Sequence, residues 1–131
     1  MNMTGIDTNV LVRYLVNDDP VQSEKAAGLF RSLTTMNKGF ISLVTIVETI
    51  WVLESVYGQE TSVIVEAILK LLRSQRLVVQ CAKEIEVALT LERYGGDLAG
   101  AIIAGLGKSF GCEKTVTFDK KAAKLEGMIL L

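Results

Sequence analysis

Three carboxylates stand apart among the fifteen acidic residues of this 131-residue chain. Asp7 ends the short run Met3-Thr4-Gly5-Ile6-Asp7, and Asp119 follows Thr115-Val116-Thr117-Phe118. Glu48 lies within Ile46-Val47-Glu48-Thr49-Ile50-Trp51, where Val44, Glu48 and Trp51 form an i, i+4, i+7 row. A carboxylate in so apolar a row is expensive to bury unless a cation or a donor compensates it. Taken singly, Asp7 and Asp119 read best as helix N-caps at strand-to-helix turns, and Glu48 as a carboxylate that reaches solvent at the end of a sheet. Three acids converging on one end of one sheet repel one another, and a hard divalent cation, Mg2+ or Mn2+, relieves that repulsion through carboxylate and water oxygens. Such a centre activates water and stabilises a phosphoryl-transfer transition state.

The remaining chemistry is narrowed by what is missing. With no histidine in the chain, Ser-His-Asp and Cys-His nucleophiles, His-ligated metals and His general bases are excluded. Cys81 and Cys112 are too few for a zinc site or a disulfide scaffold, and read as two buried thiols of a reduced, cytoplasmic protein. The net charge of −1 gives no bulk positive field for nucleic acid, so any such contact is local or bridged by cations. Half of the residues are apolar and the mean hydropathy is +0.37, which excludes disorder. The length suits one domain over 1–131. The opening MNMTGIDTN has no basic region followed by an apolar run, and no leader is expected. The longest charge-poor stretch, Leu98 to Gly107, is about half of what spans a bilayer, so no membrane is expected.

The elements that must position the acids alternate along the chain. Strands are expected at Met3–Asp7, Phe40–Leu43, Leu77–Cys81, Thr115–Phe118 and Met128–Leu131. Helices are expected at Asn9–Val16, Val21–Leu33, Val44–Tyr57, Thr61–Ser74, Lys83–Arg93 and Asp97–Phe110, with a short turn of helix at Lys120–Lys124. Asn37-Lys38-Gly39 reads as a turn, and Asp18 and Asp19 before Pro20 as turn or cap residues. Glu24, Glu60, Glu66, Glu84, Glu86, Glu92 and Glu126 read as solvated helix faces. Short apolar strands separated by helices imply parallel strands buried on both faces. Right-handed crossovers then give a three-layer α/β/α sandwich with a short parallel sheet of four to five strands. Ligands in such sheets bind beyond the carboxyl ends of the strands.

At these residues the chain resembles the PIN domain family, and within it the VapC-type toxin ribonucleases of type II toxin–antitoxin systems. The matching pieces are Ile6-Asp7-Thr8-Asn9-Val10-Leu11-Val12-Arg13-Tyr14-Leu15 with Asp18-Asp19-Pro20, then Ile41-Ser42-Leu43-Val44-Thr45-Ile46-Val47-Glu48 with Trp51-Val52-Leu53, then Gly96-Asp97-Leu98-Ala99-Gly100-Ala101-Ile102-Ile103-Ala104, and last Thr115-Val116-Thr117-Phe118-Asp119. The resemblance implies a divalent-metal-dependent RNA endonuclease of the cytoplasm. Asp7, Glu48 and Asp119 would hold Mg2+ or Mn2+, with Asp97 as a further catalytic acid and Thr8, Asn9 and Thr117 as polar support. It also implies an RNA substrate, a cognate antitoxin protein that blocks the acidic pocket, and a homodimer.

One departure bears on activity. The family pattern reads Asp-Phe-Ala-Asp-Ala-Leu-Ile-Ala, and Gly100 stands at its second, usually catalytic, Asp. Three readings follow. Asp97, at i−3 and the expected N-cap, partly replaces the acid. Alternatively, the protein is a degenerate PIN domain that binds antitoxin or RNA without cutting. Or Asp became Gly by a single-base change, natural or selected during cloning. Each lowers metal affinity, because one anionic ligand is gone. A phosphatase-like or receiver-like domain is a weaker reading, since Asp7-Thr8-Asn9 lacks the second Asp of the phosphatase pattern. Arg13 is read equally as a phosphate or antitoxin contact and as an exposed arginine. Lys120, Lys121 and Lys124 read as a solvated face, and Trp51 and Tyr14 as core or interface. Leu98, Ala101, Ile102, Ala104 and Gly105 suggest a close-packed helix, against the sheet or a second subunit.

Overall fold

The structure is a computed structural model that describes residues 2–91 and 97–131, with Leu91 described by its backbone alone. The expected helix end at Glu92 and Arg93 and the motif residue Gly96 lie outside the described residues. The chain divides into two compact units, Met1–Gln80 and Cys81–Leu131.

The first unit runs β1 (Asn2–Gly5), α1 (Thr8–Leu15), α2 (Pro20–Ser32), β2 (Asn37–Ile41), α3 (Leu43–Ser55), α4 (Thr61–Arg73) and β3 (Leu77–Val79). Its strands form a parallel sheet in the order β1-β2-β3, with Gly5 opposite Phe40 and Ile41 opposite Val79. Local chemistry sets the helix starts. Asp19 accepts from the Gln22 amide at 3.0 Å, with Pro20 at the first helical position, where its missing N–H costs nothing. Ser42 accepts from the Thr45 amide at 3.1 Å and starts α3. Gly58, at φ 61°, follows the end of α3. The core is built from Leu11, Ile41, Ile46, Ile50, Leu53, Ile64 and Ile68, all fully buried. Central strand β2 needs Gly39, since a β-carbon there would lie 2.7 Å from Ile6 Cδ1 and 2.9 Å from both Leu33 Cδ1 and Leu77 Cδ2.

The second unit runs α5 (Ala82–Leu91), α6 (Leu98–Ser109), β4 (Thr115–Thr117), a 3-10 turn (Ala122–Lys124) and β5 (Met128–Leu130). β4 and β5 pair in parallel, Thr115 opposite Met128. Helices α5 and α6 pack together, burying Ile85, Ala88, Leu89, Leu98, Ala101, Ile102 and Ala104. The close-packed face expected along α6 is thus met by a neighbouring helix.

Helices and parallel strands alternate throughout, a PIN-like α/β fold. Several expectations need correction. The five strands form two sheets, of three and two strands, instead of one. Asn37-Lys38-Gly39 is the start of β2, not a turn; its backbone pairs with β1. The strands are not buried on both faces. Every residue of β1 is exposed, Val116 is exposed in an otherwise half-buried β4, and β5 buries only Met128. This fits the polar Asn2 and Thr4 of β1, an outer strand of its sheet. The thiols are not buried either, Cys81 being half-buried and Cys112 exposed. Trp51 is 61% exposed and is no part of the core. Tyr14, partly exposed, stacks on Phe30 at 3.8 Å between ring centroids.

Candidate functional site

In the first unit, Asp7 leaves the sheet at the carboxyl end of β1. The ladder extends one residue past that strand, as the Ile6 amide donates to the Phe40 carbonyl at 2.9 Å. The chain then turns into α1 with Asp7 as N-cap, in extended conformation, its Oδ1 accepting from the Thr8 amide at 2.8 Å. Thr8 also reaches across forty residues of sequence, its hydroxyl donating to Glu48 Oε1 at 2.7 Å. Glu48 sits in α3, which starts just past the carboxyl end of β2 and is fixed there by Ser42 and by Gln80 Oε1 accepting from the Leu43 amide at 3.0 Å. The geometry therefore brings Asp7 and Glu48 to the two sides of one threonine. Both carboxylates are exposed. Exposure relieves the burial cost anticipated for Glu48, because its row with Val44 and Trp51 faces outward.

In the second unit, Asp97 is the N-cap of α6 and its Oδ1 accepts from the Gly100 amide at 2.8 Å. Asp119 follows β4 and precedes the 3-10 turn, its Oδ1 accepting from the amides of Lys121 at 2.8 Å and Ala122 at 3.4 Å. Thr117 supports it by accepting the Asp119 amide on Oγ1 at 3.0 Å. Lys120, Lys121 and Lys124 are exposed. Asn9 is exposed beside Arg13, Gln22 and Lys25 in a cleft of about 360 Å3 lined by α1 and α2.

Arg13 has a partner set that its sequence position did not reveal. Its Nε donates to Gln22 Oε1 at 2.8 Å, and its Nη1 donates to Asp18 Oδ1 at 3.0 Å and to the Tyr57 hydroxyl at 3.1 Å. Tyr57 in turn donates to Asp18 Oδ2 at 2.8 Å. The Tyr57 hydroxyl, followed by the positive charge of Arg13, holds the Asp18 carboxyl below its ordinary range. The same hydroxyl, with Asp18, holds the Arg13 guanidinium above its own. Arg13 is thus neither a bare arginine nor a free phosphate contact. Tyr57 and Ser42 were missed, although Ser42, three residues before Thr45, is a recognisable cap spacing. Nothing in the sequence pairs Tyr57 with residues more than thirty-five positions earlier.

Within neither unit do three or more Asp, Glu, Cys or His side chains of the described residues gather into a metal-holding group. The donor chemistry of the Asp7 and Glu48 pair nevertheless suits a hard divalent ion, since both offer anionic oxygen and neither is engaged by a lysine or arginine among the described residues.

The model of the PIN domain matches residues 6–128. The chain belongs to the PIN domain family. That match takes in Asp7, Glu48, Asp97 and Asp119. PIN domains are generally nucleases, which implies interaction with nucleic acid, and the nucleases among them typically use divalent metals. A comparison with curated proteins finds no match to this PIN domain. No helix among its described residues is long and apolar enough to cross a membrane.

Proposed function

We propose that this PIN domain is a divalent-metal-dependent RNA endonuclease, the toxin of a cytoplasmic VapC-type toxin–antitoxin pair, acting as one domain over 1–131. The single family match running through both units supports that last point. The observation that carries the reading is the Thr8 hydrogen bond to Glu48, which ties the residue after one candidate acid to a second acid beyond the ends of parallel strands.

In this reading Asp7 and Glu48, and with them Asp119 as the family resemblance implies, would hold Mg2+ or Mn2+, with Asp97 as the acid of α6. When bound, the ion supplies Lewis-acid stabilisation to the charge that develops on the scissile phosphate. The chain's own residues set the stage. The Thr8 hydroxyl spends its proton on Glu48 Oε1, fixing that carboxylate's orientation, and the Thr8 amide does the same for Asp7. Thr117 orders the loop that presents Asp119, and Asn9, in the lining of the α1–α2 cleft, is a polar contact for the substrate. The cognate antitoxin and a second copy of the chain are the expected partners.

The test is RNA cleavage with Mn2+ and then with excess EDTA, on the parent chain and on Asp7→Asn. We expect metal-dependent cleavage by the parent and a loss of roughly 100-fold or more in Asp7→Asn, the scale of losing one transition-state stabilising group. Cleavage that survives EDTA, or an Asp7→Asn chain that cuts like the parent, would refute the assignment. The degenerate-domain alternative, supported by Gly100 at an acidic position, predicts RNA or antitoxin binding with no cleavage under any metal.

A further inference from the structure

The cleft between α1 and α2 begins at the helix end that carries Asp7 and Thr8. Asn9, in the first turn of α1, lines it together with Arg13 one turn on. Gln22 and Lys25 line it from α2, and Val10, Ala26 and Leu29 add apolar surface. Its volume of about 360 Å3 falls in the range of small-ligand pockets, roughly 300–1,000 Å3. Apolar surface with a few convergent polar groups suits a flat ring better than a bare phosphate, which would lose hydration against carbon.

The polar groups of this cleft are mostly donors. None of its lining residues is acidic, and arginine and lysine have no acceptor. Arg13 Nε reaches the Gln22 side chain at 2.8 Å. Since a guanidinium only donates, the near atom of that amide has to be its oxygen. Gln22 is thereby turned, with Oε1 spent on Arg13 and the NH2 group left to offer. Arg13 is itself held by Asp18 and Tyr57, so the amide rests on a fixed anchor. Asn9 and Lys25 have no side-chain hydrogen bond or ion pair among the described residues. Donors of this kind match a ring that presents acceptors. Uracil and guanine carry a keto oxygen where cytosine and adenine carry an amine, and single-stranded RNA exposes those edges.

We propose that the α1–α2 cleft is a nucleobase subsite beside the scissile phosphate, and that Gln22, oriented by Arg13, makes it select keto bases over amino bases. That the ligand is an RNA base rests on the ribonuclease reading above.

The experiment turns on Gln22→Glu. This variant keeps an oxygen for Arg13 Nε and replaces the NH2 donor by a second oxygen. A glutamate also suits the first turn of α2, where the helix dipole favours negative charge, so the fold should hold. Fluorescence anisotropy on the Asp7→Asn chain compares labelled oligouridine with oligocytidine, and oligoinosine with oligoadenosine for the larger ring. The keto member of at least one pair should bind about tenfold more tightly, and Gln22→Glu in the same background should level or reverse that order. The added negative charge weakens all four probes alike, so the ratio within a pair is the readout. Equal affinities within both pairs, or a keto preference that Gln22→Glu leaves unchanged, would overturn the subsite. Cut sites mapped in a mixed-sequence RNA with Mn2+ separate this inference from the reading it rests on. The parent should show a keto base at one fixed position beside the cut, and Gln22→Glu should lose it. Cutting without base preference would overturn the subsite and leave the nuclease standing. Keto-selective binding without any cutting would sink the nuclease and leave the cleft as a base-binding site.

Discussion

Thr8 serves two acids with two donors, its amide holding Asp7 and its hydroxyl holding Glu48. A hydrogen bond to a charged group is worth about 1.5–3 kcal/mol, so the hydroxyl is a measurable part of the site if Glu48 is used. Thr8→Val keeps the shape and loses the donor. It should lower cleavage about tenfold while Thr8→Ser retains it; a Val variant as active as the parent would show that Glu48 needs no tether. Much at this scale was legible from residue types alone. Asp7, Asp97 and Asp119 were read as caps at strand or helix ends, and all three accept backbone amides. Glu48 was singled out by its apolar neighbours, but its outward face was hidden, because Val44 and Trp51 suggested burial and are exposed.

Among the elements, the α1–α2 connection is held by more than its turn sequence. Arg13, Asp18, Gln22 and Tyr57 join α1, the connection itself, α2 and the end of α3. Because the folded Asp18 carboxyl titrates below its unfolded value near 3.9, its contribution to stability is complete above about pH 4 and is lost as pH falls through the lower folded value. Arg13, whose guanidinium is held above its ordinary value by the Tyr57 hydroxyl and Asp18, stays charged throughout that window. Thermal melts from pH 6 down to pH 2 should therefore show an acid loss in the parent that is shallower in Asp18→Asn. Equal slopes would mean that the network adds nothing in solution, the common fate of partly exposed ion pairs. Helix positions were readable because apolar spacing and caps are local signals. The start of β2 was not. Asn37-Lys38-Gly39 has turn composition, and its pairing with β1, joined at Gly39 by pairing with β3, makes it strand.

At the scale of the whole molecule, the alternation of helix and strand was visible in the sequence, whereas the division of five strands between two sheets was not. Strands of three residues such as β3 and β4 carry too little pattern to reveal their partners. The overall charge of −1 also makes a prediction. RNA held by a few local cations should show a weak salt dependence, with a slope of about −0.7 per neutralised phosphate. Replacing Lys120, Lys121 and Lys124 by Ala should flatten that slope by up to about 2 if they face the backbone. Fluorescence anisotropy of labelled RNA on the Asp7→Asn chain, which leaves the probe uncut, would read it, and an unchanged slope would return the lysines to a solvated face. The exposure of Trp51 has an optical consequence. It is the one tryptophan in the chain and already stands largely in water when the protein is folded, so its emission maximum should shift little on unfolding and would make a poor stability probe. The same indole lies one helical turn from Glu48, and its quenching by acrylamide should report, without any label, whatever comes to cover the outer face of α3.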